Sequence, residues 1–294
     1  MAVARKLTAA SMTFATMLAI VACGSSSSSA AARGKGPVNV LYAGSLTTLM
    51  NGSLGAAFDR ATGYTFDGFP AGSSDLANEI KSGVRQGDVF LSASPSVNAT
   101  LKGSKNGEWV TWYAPFATTR LVLAYNPHSS FARALRTEPW YRVITRPGFR
   151  LGFTDPKLDP KGVLTTRALD QAATAYHVSA LTRIAADQSD VFPEQDLVGR
   201  LQSGQLDAGF FYTVEASAAK IPTVSLDPID LQATYTITIL ARARHPAAAE
   251  SFVKFLLGPQ GQKLLRSVGL KTISAPTVIG DQVPAGLGPA LGRS

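Results

Sequence analysis

The chain has 294 residues, 45% hydrophobic and 16% charged, which excludes a disordered protein and gives length for one large or two modest domains with proper cores. Its formal net charge is +8, but the lysines and arginines are scattered, with no basic run interleaved with aromatics. That argues against nucleic acid and for a mild attraction to anions or to an acidic envelope. Cys23 is the only cysteine, so an internal disulfide and a multi-cysteine metal site are excluded as well.

The first residues read as an export signal. Arg5 and Lys6 precede the apolar run Leu7–Val21, too short for a comfortable membrane span. The run ends Ile20-Val21-Ala22-Cys23, then Gly24 and serines, and it resembles the lipobox of bacterial lipoproteins. The resemblance implies cleavage after residue 22 and lipidation of Cys23. Loss of residues 1–22 removes two cations and no acid, lowering the net charge from +8 to +6. Residues 23–36, rich in serine, alanine and glycine, have the composition of a flexible tether.

The folded body begins with VNVLYAGSLTT, Val38–Thr48. This is a buried strand running into a glycine turn, with a helix expected from about Ser45–Leu46 because Leu46, Leu49, Met50, Leu54, Ala57 and Phe58 follow a helical face. Such a helix start offers free backbone N–H groups and a hydroxyl to an anion. FPAGSSDL, Phe69–Leu76, repeats the device with Gly72, Ser73 and Ser74. Either serine alone reads more readily as an ordinary N-cap; two of them, each after a strand and a glycine, favour a ligand site. GDVFLSASPS, Gly87–Ser96, adds a third buried strand ending in hydroxyls, Ser92 and Ser94.

Further strands are expected at Trp109–Tyr113, Arg120–Tyr125, Pro147–Asp155, Asp207–Tyr212, Thr223–Leu226 and Tyr235–Leu240. Helices are expected from Lys161, over Glu194–Ser203, and over Pro246–Leu257 and Pro259–Val268, the last two opened by proline. Strands alternate with helices throughout, the pattern of an α/β architecture with mainly parallel sheets.

The parts of an enzyme are missing from the sequence. His128, His177 and His245 are far apart and read as surface residues; no G-x-S-x-G, H-E-x-x-H, P-loop or G-x-G-x-x-G occurs. Asp155 and Asp159 lie in a turn dense in proline and lysine, a plainer reason for them than acid–base chemistry. A secreted hydrolase using Ser45 or Ser73 lacks a base, and a purely structural envelope lipoprotein is the remaining alternative.

Tyr42-Ala43-Gly44-Ser45-Leu46, Ala71-Gly72-Ser73-Ser74, the DVFLSAS strand, Leu121–Tyr125, Asp155–Gly162, Asp207–Tyr212 and Pro246–Gly269 resemble, in this order, the periplasmic molybdate/tungstate-binding proteins of ABC importers. The resemblance implies a type II periplasmic-binding-protein fold, with two α/β lobes joined by two crossing strands that act as a hinge. Lobe I is then 37–118 plus 235–294, and lobe II 119–234. It also implies a molybdate or tungstate ligand, an ABC permease and ATPase as partners, a lipid-anchored extracytoplasmic location, a monomer, no cofactor and no free metal cation. Carried over residue by residue, Ser45 and Ser73 hold the oxyanion through hydroxyl and backbone N–H. Glu194 and Lys161 offer backbone donors, and Tyr212 its hydroxyl. Asp159 matches an aspartate that, with a glutamate, binds the metal centre in the tungstate branch. Phe211 stands where that glutamate belongs, and Glu215 lies four residues on. The expectation is therefore a tetrahedral dianion held by neutral donors. Sulfate, phosphate or a small organic anion is the alternative ligand.

Overall fold

The computed structural model describes residues 34–292; the signal segment 1–22, Cys23 and most of the tether lie outside them. The body starts slightly before Pro37, because Lys35 N–H donates to Gly63 O (2.8 Å) and Thr65 N–H to Gly36 O (3.0 Å). Among the described residues there are ten strands: β1 (Pro37–Ala43), β2 (Thr65–Ala71), β3 (Val89–Ser92), β4 (Trp112–Tyr125), β5 (Leu151–Gly152), β6 (Ala208–Tyr212), β7 (Thr223–Val224), β8 (Gln232–Ile239), β9 (Lys271–Thr272) and β10 (Ile279–Gly280). Their order is β2-β1-β3-β8-β4-β6-β5, with β7, β9 and β10 against β4. Helices fill the connections, giving a mixed α/β protein.

Parallel pairing is confined to β1/β2, β1/β3 and β5/β6; β8 and β4 pair antiparallel with every neighbour. The sheets are thus less parallel than the alternation of elements predicts. A long strand returning through the middle of a βαβ layer runs against its direction. β4 is also one strand of 14 residues, where the sequence reads as two segments. The cause is Pro115, which cannot donate to a ladder; the β4/β8 register shifts between Pro115 and Ala117, a bulge that lets the strand continue. Up to Arg120 the strand pairs with β8, and from Leu121 with β6.

β1 is the centre of the first group of strands. Val38, Val40, Leu41, Tyr42 and Ala43 are all buried, as a strand flanked on both edges and covered by helices requires. Because β1 and β2 are parallel and Ala43 pairs with Ala71, the two glycine–serine turns leave the sheet side by side at its carboxyl edge. That edge is where open α/β sheets bind ligands.

Candidate functional site

Neither serine is an N-cap. The caps are Ala43 for the short turn Gly44–Leu46 and Gly72 for the helix Ser73–Lys81, and neither cap position carries a side-chain bond. Both hydroxyls instead accept a bond from elsewhere: Ser45 Oγ from Tyr235 OH at 2.7 Å, Ser73 Oγ from Ala93 N–H at 3.0 Å. A hydroxyl that accepts in this way keeps its own proton to donate. Both serines are buried, at 3% and 0% exposure. Ser92 and Ser94 are spent internally, the first donating to Ser94 O and the second accepting from Ser96 N–H at the start of the helix Pro95–Ala99.

The glycines of the two turns mark close approaches, to a side chain at Gly44 and to fixed backbone at Gly72. A Cβ on Gly44 would fall 2.8 Å from Glu194 Oε2, and one on Gly72 2.5 Å from Leu158 O and 3.3 Å from Asp159 Cβ. Asp75 N–H also donates to Leu158 O at 3.0 Å. The first turn therefore faces Glu194 and the second faces Asp159. Lys161 stands between the acids, with Nζ 2.7 Å from Glu215 Oε1 and 3.4 Å from Glu194 Oε1, and its side chain is fully buried. The Tyr212 and Tyr235 rings meet edge to face at 6.2 Å. In this way Asp159, Lys161, Glu194, Glu215 and Tyr212 are brought together, with Ser45 reached through Gly44 and Tyr235; of the second turn Gly72 lies beside Asp159, while the Ser73 hydroxyl is turned to Ala93 N–H.

Lys161 N–H is not free: Asp159 caps the helix Pro160–Tyr176 and accepts it at Oδ1, 2.8 Å away. What Lys161 brings is its ammonium. The site is accordingly not lined by neutral donors alone, since three buried carboxyls surround one cation. Phe211 packs with the apolar group of Ala124, Leu197, Leu201, Leu206 and Ala216 and supplies no carboxylate; its ring centroid lies 5.4 Å from Lys161 Nζ. Glu215 supplies a carboxylate by another path. The helix Thr213–Ala218 turns it back over the end of β6, where Oε2 accepts Tyr212 N–H at 2.8 Å.

The electrostatics follow from burial. Desolvation would lower the Lys161 pKa, but Glu215, Glu194 and Asp159 outweigh it and hold the ammonium protonated. Burial pushes Asp159 and Glu215 up, partly offset by Lys161. Burial, and then the charge of Asp159, raises Glu194 well above its ordinary value, with Lys161 opposing. Tyr212 and Tyr235 are raised by burial and stay protonated donors. Several atoms have no partner: Asp159 Oδ2, both Glu194 oxygens, Tyr212 OH and Thr154 Oγ1. A cavity of about 280 Å³ is lined by Thr154, Asp159 and Glu194 together with Gly72, Leu158 and Phe192. Among the described residues no group of three or more His, Cys, Asp or Glu is placed to hold a metal ion.

Sequence reading misses Tyr235 and the ammonium of Lys161. For Tyr235 the signal is a tyrosine in the otherwise apolar or hydroxyl strand YTITIL, whose buried OH needs a partner. No pattern announces the Lys161–Glu215 pair.

The model for bacterial extracellular solute-binding proteins matches residues 38–271. A Haloferax volcanii protein named for an ABC transporter and for molybdenum binding is 30% identical over 293 residues, covering 90% of this chain and 92% of its own. A molybdate/tungstate-binding protein of Thermococcus kodakarensis is 24% identical over 225 residues, covering 59% of this chain and 64% of its own. Among solved structures, the periplasmic molybdate-binding protein of Azotobacter vinelandii aligns with a TM-score of 0.63 at 21% identity, over 79% of this chain and 98% of that one. The sulfate-binding protein of Mycobacterium tuberculosis aligns at 0.57 and 16% identity, over 87% and 96%.

Proposed function

The chain belongs to the bacterial extracellular solute-binding proteins, a family of transporter receptors and not of enzymes, and from that premise we propose that it captures molybdate or tungstate for an ABC importer. The observation that carries the ligand is the pair of serines on adjacent turns. Each accepts one hydrogen bond and keeps its proton to give, and the Tyr212 hydroxyl is buried without a partner. Three fixed hydroxyl donors and one buried ammonium offset the cost of desolvating a dianion. Relatives named for molybdate or tungstate support the choice of anion.

In this reading the protein is tethered through lipidated Cys23 outside the cell membrane and meets a permease and ATPase there. Lobes 37–118 plus 235–294 and 119–234 close about β4 and β8. Asp159 is the residue through which a carboxylate would reach the metal centre of the anion. A second reading, a small organic anion, is favoured by the cavity of about 280 Å³ at the mouth, close to the lower end of ordinary small-molecule pockets.

The test is thermal unfolding of residues 34–294 with molybdate, tungstate, sulfate and phosphate in turn. A ligand at a thousand times its Kd adds about 4 kcal/mol of stability, which reads as a midpoint several degrees higher. Molybdate or tungstate should raise it, and Ser45→Ala with Ser73→Ala should abolish the rise. A rise with sulfate or phosphate alone would refute the choice of anion, and an unchanged rise in the double variant would refute the site.

A further inference from the structure

Buried polar atoms in native proteins have partners, and each exception asks for a reason. Glu194 is the largest exception here. Its side chain is fully shielded, yet neither oxygen accepts a hydrogen bond, and the nearest cation, Lys161 Nζ, is 3.4 Å from Oε1. Lys161 gives its short bond to Glu215, 2.7 Å away, and Glu215 is fixed at its second oxygen by Tyr212 N–H. Of two carboxylates beside one ammonium, then, one is anchored and the other is not. The unanchored one lies against the first glycine–serine turn, where Gly44 has no Cβ to keep it out.

Resting on the oxyanion reading above, we propose that Glu194 is a resident competitor whose carboxylate holds the place beside Lys161 and the Gly44–Ser45 turn that the incoming anion takes by displacing it. A competitor of this kind sets a threshold for ligands. A carboxylate offers two oxygens and one charge, no more than Glu194 itself, and gains nothing by exchange. A tetraoxo dianion offers four oxygens and two charges. It can satisfy Lys161 and at the same time accept from Ser45, Ser73 and Tyr212, whose protons Glu194 does not take up. The side chain thereby discriminates by charge and oxygen count, before cavity size discriminates among dianions.

Glu194→Gln tests this, because it keeps the shape and removes the charge. Calorimetric titration of the wild type, of E194Q and of the exposed-charge control Asp196→Asn would use sodium molybdate, sodium tungstate and sodium acetate. The expected result is a Kd for molybdate or tungstate at least tenfold lower in E194Q, acetate binding measurable in E194Q alone, and a change under twofold in Asp196→Asn. Far-ultraviolet circular dichroism checks that each variant is folded, and Glu194→Ala repeats the test should E194Q fail to fold. Wild-type binding that is unchanged or weakened in the charge-removing variants would overturn the inference and leave the oxyanion reading standing. An equal gain in Asp196→Asn would also overturn it, by reducing the effect to general electrostatics. No binding of any anion by any of these proteins would overturn both.

Discussion

Asp88 and Glu194 are both buried carboxyls, at 1% and 3% exposure, and they are opposites in every other respect. Asp88, just before β3, accepts from Asn39 N–H (2.8 Å), Asn39 Nδ2 (3.0 Å) and His245 N–H (2.8 Å), with His245 Nδ1 at 2.9 Å. Burial would raise its pKa, but these donors from Asn39 and His245 more than cancel it and leave the group below the usual aspartate value. The knot ties β1, β3 and the start of the helix Pro246–Leu257. Glu194 has the same burial and no donor, and its pKa goes the other way. Burial alone does not mark a functional carboxyl. Burial without donors does, because folding gains nothing from an unmet charge.

The largest effect should come from removing the cation that makes the second region tolerable. Lys161→Met leaves Glu215, Glu194 and Asp159 buried without a counter-charge, and breaking a buried pair on one side costs about 3–5 kcal/mol. Urea unfolding at neutral pH should show a loss of this size. A loss below about 1 kcal/mol would mean that the carboxyls are already protonated and that Lys161 is a bystander.

Asp88→Asn should cost less, roughly 2 kcal/mol, since one acceptor becomes a donor facing donors. It should also change the response to acid. A carboxyl with a depressed folded pKa contributes stability that is present above its unfolded pKa, near 3.8, and is lost as pH falls toward the folded value. Wild-type stability should therefore drop more steeply than that of Asp88→Asn below about pH 4. Parallel curves in denaturant melts at pH 3 and pH 6 would contradict the assignment of Asp88 as a satisfied, ionised group.

The two regions also differ in how far the sequence discloses them. Gly44-Ser45 and Gly72-Ser73 are legible because each turn is contiguous: strand, glycine, serine and helix start follow one another, and the parallel β1/β2 pairing brings the two together. The terminal helices are legible for the same local reason, a proline at the first turn of each. β4 is misread at Pro115, because a bulge that rescues a proline depends on β8, more than a hundred residues away. The charged wall is less legible still. Lys161 and Glu215 are 54 residues apart, and Ser45 and Tyr235 are 190. Neither pair has a local periodicity to announce it, so its members read as an ordinary helix start, a short helix and a strand.

Tyr212→Phe is the smallest perturbation, and it sharpens the comparison most. The Tyr212 hydroxyl is fully buried and has no partner, so removing it should leave stability unchanged or slightly raised, the reverse of what deleting a hydrogen-bonded group does. The same oxygen is assigned to donate to a bound anion, and a hydrogen bond to a charged group contributes about 1.5–3 kcal/mol, which is roughly a tenfold to hundredfold loss of affinity. A variant that melts no lower than the wild type while binding molybdate at least tenfold more weakly would place Tyr212 with Glu194, among groups kept for the ligand at the fold's expense. A variant that melts markedly lower with its affinity intact would place it with Asp88, as a group that serves the fold.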